Sequence, residues 1–276
     1  MADAAEVSDI ADPLAAEIYD DLPLWSAPFG LALLDAVRLR PRLRALDVGC
    51  GAGFPLVELA ERLGPTGRAV GADPWRPALG RAARKIALRG VANAFAVECV
   101  AEALPFADGA FDLAVSNNGF NNVADAARAL AECARVLRGG GQLVFTFNLP
   151  ESMAELYGAL CDVLRARGLF EAVDRVRAHI ASKRQPVELW RDRAAGAGFR
   201  VERVERHEFT MRYADSGALF GQWFVRLAFL PSWLEVVEPG LRDEVFAEVR
   251  ARLDRGAAGG GIVLTIPLAC VDCTRA

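Results

Sequence analysis

LDVGCGAG, Leu46–Gly53, joins an apolar run to a helical pattern through three alternating glycines. From Leu43 to Gly49 the chain reads as a buried strand, and PLVELAERLG (55–64) reads as a helix with Pro55 in its first turn and Gly64 as its stop. Gly49, Gly51 and Gly53 let the backbone turn and let a ligand approach with no Cβ in the way. The start of the helix adds free N–H groups. A dinucleotide fingerprint of the G-x-G-x-x-G type needs glycine at position 54, where this chain has Phe54. The stretch therefore predicts a strand, a ligand-facing turn and a helix, the opening of a βαβ unit.

The alternation continues outward. GRAVGAD (67–73), NAFAVECV (93–100), FDLAVSN (111–117) and GQLVFTFN (141–148) read as strands. PALGRAARKIALRG (77–90) reads as a helix, and so does DAARALAECARVLRGG (125–140), whose apolar positions 126, 129, 130, 133, 136 and 137 follow the 3.6-residue period. Asp125 suits its N-cap. Such alternation implies a parallel sheet covered on both faces. Ligands of these sheets bind beyond the carboxyl ends of the strands, near the switch in strand order. After residue 148 the rhythm changes. Residues 149–185 are mostly helical, 187–199 form a helix, 199–213 alternate as a strand, 215–255 are helical and aromatic-rich, and 259–271 read as a closing strand. The expected organisation is an N-terminal helical segment (1–42), a core (43–148), a helical insertion (149–185) and a completion of the sheet (186–276) carrying a second helical insertion (215–255).

Two features fall at the expected ligand end. Asp73, in GADPW, closes the second strand about twenty residues after the glycine turn, where a carboxylate can accept from ribose hydroxyls. SNNGFNNV, Ser116–Val123, follows the fourth strand. Asn118 and Gly119 tolerate the left-handed backbone of a turn, and the amides of Asn117, Asn121 and Asn122 can orient a polar ligand.

LDVGCGAG, Asp73, EALPFADGAFD (102–112) and ARVLRGGGQLV (134–144) together resemble the class I S-adenosylmethionine-dependent methyltransferases, most of all the small-molecule enzymes of the ubiquinone and menaquinone biosynthesis type. The resemblance covers the core, somewhat under half the chain. It implies an α/β, Rossmann-like, seven-stranded and mostly parallel sheet with helices on both faces, an antiparallel last strand and helical lid insertions. It implies S-adenosylmethionine as cofactor and S-adenosylhomocysteine as product. By that resemblance Gly49 and Gly51, with Cys50 between them, flank the methionine and ribose parts, and Asp47 helps hold the amino group. Asp73 takes the ribose hydroxyls and Pro74 packs on the adenine. Val100 stands where the family often has an acid, so adenine recognition is expected from the backbone near Ala101 or from Glu102. Asn117 is expected beside the methionine portion. N-terminal helices of the family often fold over the cofactor, which makes Tyr19 and Trp25 candidates for the acceptor pocket, with ordinary core packing as the alternative.

The departures bear on mechanism. The N-P-P-Y-like turn of methyltransferases acting on base or glutamine nitrogens is replaced by S-N-N-G. No Asp or Glu occurs between Asp112 and Asp125, so an oxygen-ligand metal site is not expected there. Many relatives carry a His-His pair shortly before the helix, and Asn121 and Asn122 occupy the matching place. Methyl transfer is an in-line displacement in which the protein mainly aligns the nucleophile and excludes water. A general base adds rate only for a nucleophile with a proton of high pKa. Asparagine cannot be that base, so Asn117 and Asn121 are expected to orient the acceptor. That acceptor would be a pre-ionised carboxylate or phenolate, a neutral amine or an activated carbon. Asn118, Asn122, His207 and Trp223 complete the candidate pocket, although Phe220, Trp223, Phe224 and Leu227 would equally form one packed helical face.

Composition narrows the partners. The chain has 276 residues, a formal net charge of −4 and 53% hydrophobic residues. It lacks the basic footprint of a nucleic-acid binder, and RLRPRLR (38–44) reads as a solvated loop. The acidic N-terminus does not read as a secretory signal, and no apolar run reaches the ~18 residues of a membrane span. A cytoplasmic location is expected. Among six cysteines, Cys270 and Cys273 form a CxxC, which with only two histidines in the chain lacks the ligands of a zinc site. The reading is a metal-independent methyltransferase acting on a small, partly apolar metabolite. A protein or RNA methyltransferase, or a non-catalytic cofactor-binding regulatory protein, remains as the alternative.

Overall fold

The computed structural model describes residues 23–257 and 259–276. Helix α1 (Pro23–Ala36) precedes β1 (Arg44–Val48), α2 (Leu56–Leu63), β2 (Arg68–Asp73), α3 (Arg76–Arg89), β3 (Ala94–Glu98), β4 (Phe111–Asn117), α4 (Ala126–Val136) and β5 (Leu137–Asn148). Helices α5 (Ala154–Ala166), α6 (Phe170–Lys183) and α7 (Val187–Gly196) lead to β6 (Phe199–Tyr213). Then come α8 (Ser216–Gly221), α9 (Leu230–Glu235), α10 (Arg242–Ala257) and β7 (Ile262–Arg275). The strands form one sheet in the order β3-β2-β1-β4-β5-β7-β6. The first five run parallel, and β7 runs antiparallel to β5, with Gln142 opposite Thr274 and Asn148 opposite Leu268. This is the architecture expected from the sequence. Strand order reverses between β1 and β4, and the glycine turn and the asparagine turn are the two loops that leave that point.

The central strands are apolar on both faces because both are covered. Ala45 and Leu46 of β1 and Leu113, Ala114 and Val115 of β4 are fully buried. Helix α2 buries Leu56, Val57, Leu59, Ala60 and Leu63 on one side and carries Glu58 in its first turn and Arg62 in its last, the favourable sense for its dipole. Helix α3 stops at Gly90, whose left-handed backbone (φ 65°) lets its N–H cap Ala87.

Boundaries move where glycine and pairing compete. Helix α4 ends at Val136 and not near Gly140, because Leu137 is extended (φ −79°, ψ 142°) and pairs with Phe111. Gly139, Gly140 and Gly141 would have made poor helix. The closing strand begins at Ile262, since Gly259 and Gly261 have positive φ, and it runs on to Arg275. Cys270 and Cys273 therefore lie in a strand three residues apart and point to opposite faces. Both are buried free thiols, and burial pushes each up to about 12.

The chain divides into two compact units. One holds the described residues up to Asn148 with Pro186–His207 and Leu268–Ala276. Its largest aromatic cluster joins Phe120, Phe145, Phe147 and Trp190, with ring centroids 5.4 to 6.1 Å apart, and Trp190 is 1% exposed. The other holds Leu149–Gln185 and Glu208–Pro267. There Arg167 of the α5 end bridges Glu244 and Glu248 of α10, and Phe220, Trp233 and Phe246 pack edge to face. The aromatic run of this unit is not one helical face. Gln222 is extended and its side chain accepts from Val225 N–H, which ends α8 and starts a new turn. Phe220 and Phe224 are buried, whereas Trp223 is 38% exposed under the Arg226 guanidinium. No helix of the described residues is long and apolar enough to cross a membrane.

Candidate active site

At the switch point the loops after β1 and β4 cross through two glycines. A Cβ on Gly49 (φ 77°) would lie 3.1 Å from Gly119 Cα, and one on Gly119 would lie 2.7 Å from Ser116 Oγ and 2.8 Å from Val48 O. Ser116 Oγ donates to Val48 O at 2.8 Å, locking the crossing. A Cβ on Gly51 (φ 48°) would meet nothing within 4 Å, so that side of the loop is open. Gly49 N–H is anchored to Ala72 O (2.8 Å), and Gly53 N–H closes back on Cys50 O (2.9 Å).

Two acids flank this loop. Asp73 accepts from Gly51 N–H (2.9 Å) on one oxygen and from Trp75 N–H (2.8 Å) on the other, tying the loop to the end of β2. A carboxylate offers about four lone-pair sites, so two remain for further donors. Burial raises its pKa, and the two amides hold it down in part. Asp47 is fully buried, and neither of its oxygens has a hydrogen-bond partner. Burial first, and the Asp73 charge second, push its pKa to about 8. The Leu56 amide acts in the opposite direction without completing a hydrogen bond. A buried carboxylate with no donor is costly to ionise, and it fits a cationic donor such as the ammonium of an amino acid. Pro74 is exposed beside Asp73, Ala101 is buried, and Cys50 is a buried thiol whose pKa burial drives up. The glycine cradle, the unpartnered Asp47 and the half-used Asp73 thus fit an aminoacyl nucleoside.

The asparagines divide by role. Asn117 donates to Ser26 O (3.1 Å) and accepts from Thr146 Oγ1 (3.1 Å), tying the end of β4 to α1 and β5. Asn118 has a left-handed backbone (φ 58°), and its N–H reaches Thr146 O at 3.0 Å. Asn121 sits in a short 3-10 turn, Phe120–Asn122, anchored by buried Phe120. Its Nδ2 donates to Asn118 Oδ1 (2.6 Å) and Asn148 Oδ1 (2.7 Å), which turns its own Oδ1 to the other side, buried and without a partner. Asn122 is exposed. Asn148, Thr146 and Ser26 were not foreseen, since each lies in or beside an element whose pattern signals only packing. Gly30 of α1 was missed too. A Cβ there would lie 2.2 Å from the Phe54 ring and 3.3 Å from Asn117 Nδ2.

Other candidates are not gathered here. His207 lies on β6, exposed, with Nε2 3.8 Å from the Glu205 carboxylate. Three strand spacings put β6 about 14 Å from β4 in the sheet. Glu102 accepts from the Ala124 (2.8 Å) and Asp125 (3.0 Å) amides and so serves the start of α4. Trp25 is buried against Phe29 at 5.4 Å, Trp223 belongs to the other unit, and Tyr19 lies outside the described residues. The RLRPRLR arginines are drawn into ion pairs, Arg40 and Arg44 with Asp112 and Arg38 with Asp272.

Comparison with known proteins agrees with this geometry. Residues 46–145 match the family model described as a methyltransferase domain. The chain is 33% identical to nocamycin O-methyltransferase of Saccharothrix syringae, over 93% of this chain and 94% of that one. It is 46% identical to a demethylmenaquinone methyltransferase of Thermus thermophilus, over 37% of this chain and 45% of that one. The solved structure of geranyl diphosphate C-methyltransferase from Streptomyces coelicolor, in complex with Mg2+, geranyl diphosphate and S-adenosylhomocysteine, superimposes with a TM-score of 0.55 at 16% identity, covering 91% of this chain and 79% of that one. That likeness speaks for the fold alone.

Proposed function

Because the chain belongs to the class I S-adenosylmethionine-dependent methyltransferases, we propose on that premise that it methylates a small, partly apolar acceptor at O, N or C without a metal ion. The cofactor supplies a methyl group already activated on a sulfonium. Asp47 receives its ammonium, Asp73 its ribose hydroxyls, Pro74 stacks on its adenine, and the backbone beside Ala101 meets the adenine edge. Asn121 orients the acceptor. The observation that carries this reading is the set of three unpartnered buried oxygens at one switch point, the two of the Asp47 carboxylate and the Asn121 amide oxygen. The carboxylate suits a cation, and the amide oxygen suits an N–H or O–H donor.

Among the described residues no acid, base or histidine belongs to the hydrogen-bonded group of Asn117, Asn118, Asn121 and Asn148. The amides can align a nucleophile but cannot accept its proton as it reacts. The acceptor atom is therefore one that reaches the site already ionised or needs no deprotonation before attack. The metal-free reading rests on these amides standing where a metal site would need carboxylates. The test is methyl transfer from labelled S-adenosylmethionine in the presence of a chelator. Full turnover after chelation supports the reading, and loss restored only by magnesium contradicts it.

A further inference from the structure

The unit formed by Leu149–Gln185 and Glu208–Pro267 buries a cation that no Asp or Glu among its described residues neutralises. Arg184, just past the end of α6, is 4% exposed, and among the described residues no Asp or Glu pairs with it. Its Nη1 donates to the Tyr157 hydroxyl at 3.0 Å, and its guanidinium carbon lies 4.9 Å from the centre of the Tyr157 ring. Its Nε is buried without a partner, and its Nη2 makes no hydrogen bond to any described residue. Nε and Nη2 form the side-on fork on which two parallel N–H bonds meet a carboxylate.

The neighbours cannot supply the missing charge. The Tyr157 hydroxyl also accepts from Trp233 Nε1 (3.0 Å) and lies 3.1 Å from His179 Nε2. A phenol oxygen has two lone pairs and one proton. Arg184 and Trp233 fill the lone pairs, so the proton points to His179 Nε2, which must be unprotonated. Burial, followed by the Arg184 and Lys183 charges, lowers the His179 pKa in agreement, with exposed Glu235 acting weakly the other way. The cluster is thus a neutral histidine, a neutral tyrosine, an indole and an unpaired guanidinium. The Tyr157 ring and the carboxyl end of α6 offset part of the cation, yet neither accepts a hydrogen bond from Nε. A buried charge left unpaired is strongly unfavourable, and an anion on that edge removes the penalty.

We propose that Arg184 is the anion-binding residue of a site in this unit that takes a carboxylate-bearing organic molecule. Tyr157 is a positioning residue, holding the guanidinium by Nη1 and leaving Nε and Nη2 without a protein acceptor among the described residues. The carboxylate belongs to a small-molecule ligand of this unit.

The full chain is titrated with benzoate and hexanoate and, as neutral isosteres, with benzamide and hexanamide. Binding is read by ligand-observed NMR and thermal shift, and S-adenosylhomocysteine binding is measured in the same samples. The acids should bind about tenfold or more tightly than the amides, and Arg184→Gln should erase that preference while leaving S-adenosylhomocysteine affinity unchanged. Arg184→Lys should keep only part of it, because lysine has the charge without the fork. Equal responses of the wild-type protein to acids and amides overturn the proposal without need of any variant, as does a preference that survives in Arg184→Gln. Loss of S-adenosylhomocysteine binding alone would strike the methyl-transfer reading and leave the anion site standing.

Discussion

Replacing Asp47 by asparagine should remove a proton from the cofactor-binding equilibrium. The wild-type carboxyl is fully buried without a donor, and its pKa is pushed to about 8. At about pH 6.5 it is about 97% protonated in the free protein. An ammonium placed against it favours the ionised form, so binding must expel the proton. The α-amino group of the ligand is already charged at that pH and takes up less than about 0.1 proton. The net expectation is release of about 0.9 proton per ligand bound at that pH, falling as pH rises through about 8, where the carboxyl of the free protein is already ionised. Calorimetric titration of S-adenosylhomocysteine in two buffers of different ionisation enthalpy counts these protons directly. Asp47→Asn should release almost none and should bind about tenfold or more weakly. A wild-type protein that releases no proton, or a variant that releases as many, refutes the assignment of the ammonium to Asp47. The same shift fixes a sign for stability. Below the unfolded pKa of 3.8 both states hold the proton, and between there and about 8 the unfolded state ionises while the native state resists. Stability of the ligand-free protein therefore falls as pH rises across that window, by on the order of 5 kcal/mol in total from this group, and the asparagine variant should lack that slope in a denaturant series.

Asp73→Ala removes the acceptor of both Gly51 and Trp75 amides, so affinity for S-adenosylhomocysteine should fall about tenfold or more; unchanged calorimetric affinity would sink the assigned loop. Asn121→Ala and Asn148→Ala should lower kcat/KM for the acceptor by more than they weaken cofactor binding, and wild-type kinetics for both would reduce them to turn residues. Gly119→Ala drives a methyl against Ser116 Oγ and Val48 O and should cost about 1–3 kcal/mol in denaturant unfolding, with cofactor affinity falling in parallel. Trp190→Ala empties the ring cluster with Phe120, Phe145 and Phe147 and should cost about 3–5 kcal/mol, which a shifted denaturation midpoint would register.

What was legible in the sequence is what local chemistry dictates. The glycine spacing of 49, 51 and 53, the apolar strands and the period of α4 need no tertiary information, and β4 and β6 have the bounds their patterns predict. Asp73 was visible because its place at a strand end carries meaning. What escaped depends on which groups the fold brings together. Asn148 ends an apolar strand, and only the pairing of β4 with β5 brings it to Asn121. Arg184 in SKRQP reads as the solvated tail of a basic helix, and only the packing around Tyr157 and Trp233 buries it. Among the asparagines, pattern could not separate Asn117, whose amide ties β4 to α1 and β5, from Asn121, whose oxygen is left without a partner.

The central claim is tested most directly by incubating the full chain with methyl-labelled S-adenosylmethionine and a metabolite extract, then separating small from large products by mass. The account predicts labelled methyl on a small molecule, formed together with S-adenosylhomocysteine, retained in the presence of a chelator and reduced in Asn121→Ala. Label confined to protein or RNA, or S-adenosylhomocysteine bound without any labelled product from acceptor-containing extract, would contradict it.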